Sequence, residues 1–344
     1  MRPAANGAVP GQPPLHFLRD HIVFAPAELI FRHAASSGLV QFVMAELTSL
    51  IALSDRRNLA YLEVGDAAGF PVFHFHGHGS SRLEALALAD AAEKARVRLI
   101  AFDRPGIGLS DPKAGDRLLD WPLDIAEAAD QLGIRSFAVQ GMSAGGPYAL
   151  ACAHLLPDRV TACSLVSTVP PPGVALLSGP AMRRFAWWVA RTFPKYLRRR
   201  LQEIRPDHMS EAMVRARMVR IGQWLGGEDL RLMQDPAKLD LLARTMLESG
   251  RQDGRGNRSE IERLTRPWGF DIRKIKVPVF VFHGDEDHIM HIRPAQKLAR
   301  TLKGCVATFY AGEGHFSVLV NKADQLMEAL GGATRRAPGE LETY

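Results

Sequence analysis

Gly141-Met142-Ser143-Ala144-Gly145 puts a serine in G-x-S-x-G spacing. An apolar run reading as a strand (136–140) precedes it, and a helix-length stretch begins at Ala144. A strand-to-helix turn this sharp strains the serine backbone; small neighbours such as Gly141, Gly145 and Gly146 let the helix approach the strand while Oγ projects from the carboxyl edge of a sheet. A serine hydroxyl is a weak nucleophile and needs an adjacent base, itself held in one tautomer by an acid. Both follow later in the chain. His315 stands in Gly312-Glu313-Gly314-His315-Phe316, after the last predicted strand, and His283-Gly284-Asp285-Glu286-Asp287 offers two aspartates, Asp285 and Asp287, after the seventh. Each loop leaves the carboxyl edge of a strand, the edge that carries Ser143. The chemistry indicated is acyl transfer, with backbone N–H groups as the usual donors to the oxyanion; Ala144, just after the nucleophile, supplies one.

These residues need an α/β frame, and the pattern from about residue 48 provides one: short apolar runs alternate with helix-length amphipathic stretches, the signature of a mostly parallel sheet with helices on its faces. Eight strands are expected, at 49–53, 59–64, 72–75, 97–102, 136–140, 162–167, 277–282 and 307–311. Helices fit 82–95, 119–132, 144–156, 294–302 and 317–330, with Pro157 and Gly331-Gly332 as stops. Between the sixth and seventh strands the alternation lapses from Pro170 to about Phe270, and helices such as 182–192, 210–225 and 236–248 take over. The domain organisation expected is a core of 48–169 and 271–332, an inserted helical cap of 170–270, and a C-terminal tail of 333–344. Residues 1–47 form an N-terminal extension, and Leu39, Phe42, Val43, Leu47 and Leu50 keep the spacing of an amphipathic helix. That helix is expected to pack on its own domain; docking to a membrane surface or to a second subunit is the alternative.

The 344 residues, 47% hydrophobic, suffice for a large core and exclude a disordered or fibrous chain. The net charge of +6 is uneven: residues 170–274 carry +9 and the remainder −3, which suits a helical insertion with a solvated arginine-rich face or one that attracts an anionic substrate. No nucleic-acid-binding motif accompanies the charge, so no nucleic-acid partner is expected. Three scattered cysteines make no disulfide framework and favour a reducing compartment, with the cytoplasm as the default. The N-terminus lacks the pattern of a secretory signal, and no apolar run reaches the ~18 residues that span a bilayer.

A metal centre competes with the serine. His74, His76 and His78 alternate at the end of one strand, and His283, Asp285, Asp287, His288 and His291 cluster near another. A metal-dependent hydrolase would have to use residues the serine reading already explains and would leave Ser143 idle, so no metal is expected. Gly106-x-Gly108-x-x-Asp111 lacks the third glycine of a dinucleotide fingerprint, and no organic cofactor is expected either.

Taken together, His76-Gly77 after the third strand, Asp103-Arg104-Pro105-Gly106-Ile107-Gly108-Leu109-Ser110 after the fourth, the serine turn, Gly284-x-x-Asp287 and Gly314-His315 make the chain resemble the α/β-hydrolase family over residues 48–332. The resemblance implies strand order 1-2-4-3-5-6-7-8 with an antiparallel first pair, and a cap roofing the site. It selects Asp287, three residues after the glycine, as the acid, and His78 as the second oxyanion donor. It implies hydrolysis of a carboxylic ester, a small and partly apolar molecule, through an acyl-enzyme. Met142 and, in the cap, Met182, Phe185 and Val189 become candidate substrate contacts. Amide, peptide, thioester, lactone or carbon–carbon bond cleavage, or acyl transfer, would run on the same triad; a non-catalytic ligand receptor on this fold is the reading from another class. Ser at 143 argues against the branches that use an aspartate nucleophile.

Overall fold

The computed structural model describes residues 48–115, 117–178, 188, 192 and 210–333. The expected helix before the first strand, the helix at 182–192 apart from residues 188 and 192, with Met182, Phe185 and Val189, and the tail beyond 333 lie outside the described residues. Among the described residues no helix is long and apolar enough to cross a membrane.

Eight strands make one sheet, in chain order β1 (Thr48–Ala52), β2 (Asn58–Gly65), β3 (Phe70–Phe75), β4 (Val97–Phe102), β5 (Phe137–Met142), β6 (Val160–Val166), β7 (Val279–Gly284) and β8 (Val306–Tyr310). Their spatial order is 1-2-4-3-5-6-7-8. β2 runs antiparallel to both its neighbours, β1 and β4, and the other pairs are parallel. This is the α/β sheet and the strand order expected. The central strands are mostly apolar because helices cover both faces: every residue of β5 and β7 is buried. Phe73 stacks on Phe137 with ring centroids 4.1 Å apart, and Trp121 meets Phe75 and Tyr148 edge-on. Burying such a side chain contributes about 1.5–3 kcal/mol, so this cluster fixes how helices sit on the central strands.

The helices flanking the sheet are α1 (Ala89–Lys94), α2 (Trp121–Gln131), α3 (Gly145–Leu155), α9 (Ile292–Thr301), α10 (Ser317–Asn321) and α11 (Ala323–Ala333). Three expected helices are divided; 119–132 opens as a 3₁₀ turn, Leu118–Asp120, before α2. The stretch 82–95 opens as a 3₁₀ helix, Arg82–Leu88, before α1. Its first turn is set by tertiary polar contacts: the Arg82 N–H donates to Asp103 and the Glu84 carboxylate accepts from the Gly77 N–H. The stretch 317–330 is interrupted at Lys322, so that the short α10 sits on the loop carrying His315.

Between β6 and β7 the described residues form α4 (Pro172–Ser178), α5 (Glu211–Leu225), α6 (Gly227–Gln234), α7 (Pro236–Ser249) and α8 (Arg255–Thr265). Side-chain caps explain two of the starts: Ser210 accepts from the Met213 N–H, and Asp235 accepts from the Ala237 and Lys238 N–H groups ahead of Pro236. Val214, Met218, Leu225, Leu232, Met233 and Ala243 bury a separate apolar cluster among α5, α6 and α7.

Candidate active site

Ser143 occupies the sharp turn between β5 and α3 with φ of 50°, a left-handed conformation that costs a non-glycine residue about 1–3 kcal/mol. The surrounding backbone holds it there: the Ser143 N–H donates to Val166 O at 2.8 Å, and Ser143 O accepts from Val169 and Gly146. A methyl group on Gly145 would lie 1.9 Å from Phe75 O, and one on Gly141 would lie 2.4 Å from the Gly145 carbonyl carbon. Only glycines allow strand and helix to approach this closely, and the approach lifts the hydroxyl to the sheet edge.

His315, between β8 and α10, brings Nε2 to 3.1 Å from Ser143 Oγ and Nδ1 to 2.8 Å from Asp287 Oδ2. The other carboxylate oxygen of Asp287 accepts from the Ile289 and Met290 N–H groups at 2.8 and 2.6 Å. Ser143, His315 and Asp287 are therefore one hydrogen-bonded chain, buried throughout. Asp285 points elsewhere, accepting from the Gly312 N–H at 2.7 Å and bracing the neighbouring loop. Burial alone would depress the His315 pKa, but the carboxylates of Asp287, Asp229 and Glu84 outweigh it and hold the value above the ordinary one. Burial likewise pushes Asp287 up, and the imidazoles of His315 and His283 more than reverse it.

The loop after β3 passes over the nucleophile. A side chain at Gly77 would meet Ser143 Cβ at 3.6 Å and Met142 Cγ at 3.8 Å, and Met142 itself is buried beneath that turn. The Gly77 N–H is committed to the Glu84 carboxylate. Ala144 is the N-cap of α3, where backbone N–H groups and the helix dipole face the site. The His78 ring turns away to Glu260 Oε2 at 2.9 Å. Glu260, on α8, also receives Arg104 Nε at 2.6 Å, and Arg104 donates on to the carbonyls of His76 and Gly77.

The histidines weighed as a metal cluster are dispersed. His74 lies between Gln140 and Glu84, His76 donates to Gly77 O, and His283 donates to Met290 O. Among the described residues no three His, Cys, Asp or Glu side chains converge as a ligand group.

Sequence reasoning missed three carboxylates. Glu84 holds the loop of His78, Glu260 holds Arg104 beneath it, and Asp229 accepts three backbone N–H groups of the loop carrying His315. None of the three stands in a spacing that marks a site.

A family model described as alpha/beta hydrolase fold matches residues 71–322. A non-heme chloroperoxidase of Streptomyces lividans is 33% identical over 130 residues, 35% of this chain and 45% of that protein, so the chain covers less than half of that relative's length. Among solved structures, an enol-lactonase from Burkholderia xenovorans LB400 aligns with a TM-score of 0.60 at 19% identity, over 84% of this chain and all of the other. A thermophilic esterase from Thermogutta terrifontis, solved with malate bound, aligns with a TM-score of 0.62 at 19% identity, over 84% of this chain and 98% of the other. At such identities the two structures are alike in fold.

Proposed function

The chain belongs to the α/β hydrolase fold family, and from that premise we propose that it is a serine hydrolase cleaving a carboxylic ester through an acyl-enzyme. The observation that carries the proposal is the buried chain from Ser143 Oγ through His315 to Asp287, at 3.1 and 2.8 Å, with the serine on a strained turn. Ser143 Oγ attacks the ester carbonyl carbon as His315 Nε2 takes its proton, and Asp287 stabilises the imidazolium. The N–H groups of Ala144 and His78 receive the oxyanion. Its collapse expels the alcohol, which takes the proton back from His315; water, deprotonated by the same imidazole, then releases the acid and restores Ser143.

The enol-lactonase and esterase among the structural neighbours favour an ester over an amide. An apolar substrate portion is favoured by Ile289 and Phe316, which follow Asp287 and His315 closely and pack against the apolar cluster of the inserted helices. The test is Ser143→Ala. The folded variant should lose turnover of p-nitrophenyl esters by about 10³-fold or more and resist fluorophosphonate labelling. Near wild-type activity in that variant would sink the proposal.

A further inference from the structure

We infer that Asp229, in the first turn of α6, is a positioning residue that fixes the backbone carrying His315; the inference rests on the serine hydrolase reading above. Its side chain crosses from the inserted segment to the loop after β8 and is 1% exposed there. Oδ2 accepts the His315 N–H at 2.8 Å, and Oδ1 accepts the Phe316 and Ser317 N–H groups at 2.9 and 2.8 Å. An acid at the third helical position ordinarily serves its own helix. Here both oxygens are engaged on another segment: they cap α10, whose own N-cap, Phe316, supplies no side-chain cap.

The sequence makes room for this contact twice. A methyl group on Gly314 would fall 2.4 Å from Asp229 Oδ2, so glycine beside the histidine admits the carboxylate. Gly226 and Gly227, both at positive φ, turn the chain from α5 into α6, and a methyl on Gly227 would lie 2.9 Å from Glu286 Oε2. The start of α6 is thus wedged between the loop of Asp287 and the loop of His315.

Burial raises the Asp229 pKa above its ordinary value, and the three N–H donors and the His315 imidazole oppose that rise only in part. The charged and titratable groups facing His315 are then Asp287 and His283 from β7 and its loop, Glu84 from the 3₁₀ helix, and Asp229 from α6. Asp229 acts through that histidine in two ways: it holds the ring against Ser143 and adds negative charge beside it.

The experiment uses the full chain carrying Asp229→Asn, in which an amide N–H replaces an acceptor where only N–H groups arrive. With p-nitrophenyl acetate, kcat should fall about 10²-fold, the cost of a displacement near 1 Å, while KM stays within about twofold. The acid limb of kcat/KM should move to lower pH, because one carboxylate that raises the His315 pKa is gone. Amide hydrogen exchange over 314–317 should accelerate, and the His315 ring, followed by NMR, should titrate at lower pH. These last two readouts need no turnover: an inactive wild type would end the hydrolase reading, and exchange and titration would still judge Asp229. A purely structural role would lower thermal stability and leave kcat and the His315 titration unmoved, and that result overturns the inference. Should Asp229→Asn not fold, Gly314→Ala displaces the carboxylate without removing it; the same changes support the inference, and kcat within twofold of wild type with an unshifted His315 overturns it.

Discussion

His315 stands among Asp287, Asp229 and Glu84, and this charge environment has a direct kinetic consequence. A base works only when unprotonated. Its folded pKa lies above the ordinary value, so activity is fully present only at pH above that raised pKa and is lost as pH falls through it. The acid limb of kcat/KM should therefore lie above the ~6.5 of an unperturbed imidazole, as a pH profile with a neutral ester would measure; a limb below that value would contradict the charge environment. The two nearby carboxylates make a second test. Asp287→Asn offers His315 Nδ1 an amide and spoils its tautomer, so kcat should fall by about 10⁴-fold, as for the equivalent change in a serine protease. Asp285→Asn touches only the brace to Gly312 and should leave kcat within a few-fold; the reverse ranking would move the acid role to Asp285. Ser143, His315 and the two candidate acids could be picked out from spacing because nucleophile chemistry restricts residue type and strand-end position. Choosing Asp287 took the family resemblance. Asp229, Glu84 and Glu260 had no such signal, since a carboxylate that accepts from a distant backbone or cation carries no local pattern.

Among the elements, α8 illustrates how the insertion supports the site. Its Glu260 is fully buried, and there burial raises its pKa, yet Arg104 and His78 overturn the effect and hold it far below the usual carboxylate range. A depressed carboxylate contributes stability that is present above its unfolded pKa and lost as pH falls towards the folded one. Removing one partner of a buried pair strands the other charge. Glu260→Ala should thus destabilise the protein by about 3–5 kcal/mol, seen as a lower urea midpoint. It should also lower kcat, because Arg104 no longer anchors the carbonyls of His76 and Gly77 beside the proposed oxyanion donors. An unchanged midpoint would show that water replaces the lost partner without cost. α8 escaped sequence reading for a physical reason: its opening residues, Arg255-Gly256-Asn257-Arg258-Ser259-Glu260, give no apolar stripe, and the helix is held by polar contacts. α5 and α7 were legible because each has a side-chain cap and apolar positions at helical spacing.

Over residues 48–333, the sheet follows from alternating apolar runs, and its strand order from the resemblance; periodicity alone cannot say which strands are neighbours. What periodicity also could not show is how the inserted helices are joined to the sheet domain. The joints are polar and buried or half-buried: Thr245 of α7 meets Ser80 and Ser81, Glu248 receives Arg82, Gln252 donates to the carbonyls of Gly108 and Ser110, and Glu260 receives Arg104. Gly256 packs so closely on Gly106 that a methyl group there would lie 2.3 Å from its carbonyl oxygen. Opening this seam would expose or strand several polar groups at once, each at about 1–3 kcal/mol, which approaches the whole ~5–15 kcal/mol stability of a domain. α7 and α8 should accordingly unfold together with the sheet and not open as a separate lid. Native-state hydrogen exchange measures this directly: amides of 243–249 and 257–265 should exchange with the same free energy and denaturant dependence as those of β5. Exchange of these helices through a markedly cheaper opening, with β5 still protected, would show that the seam is weaker than its contacts imply.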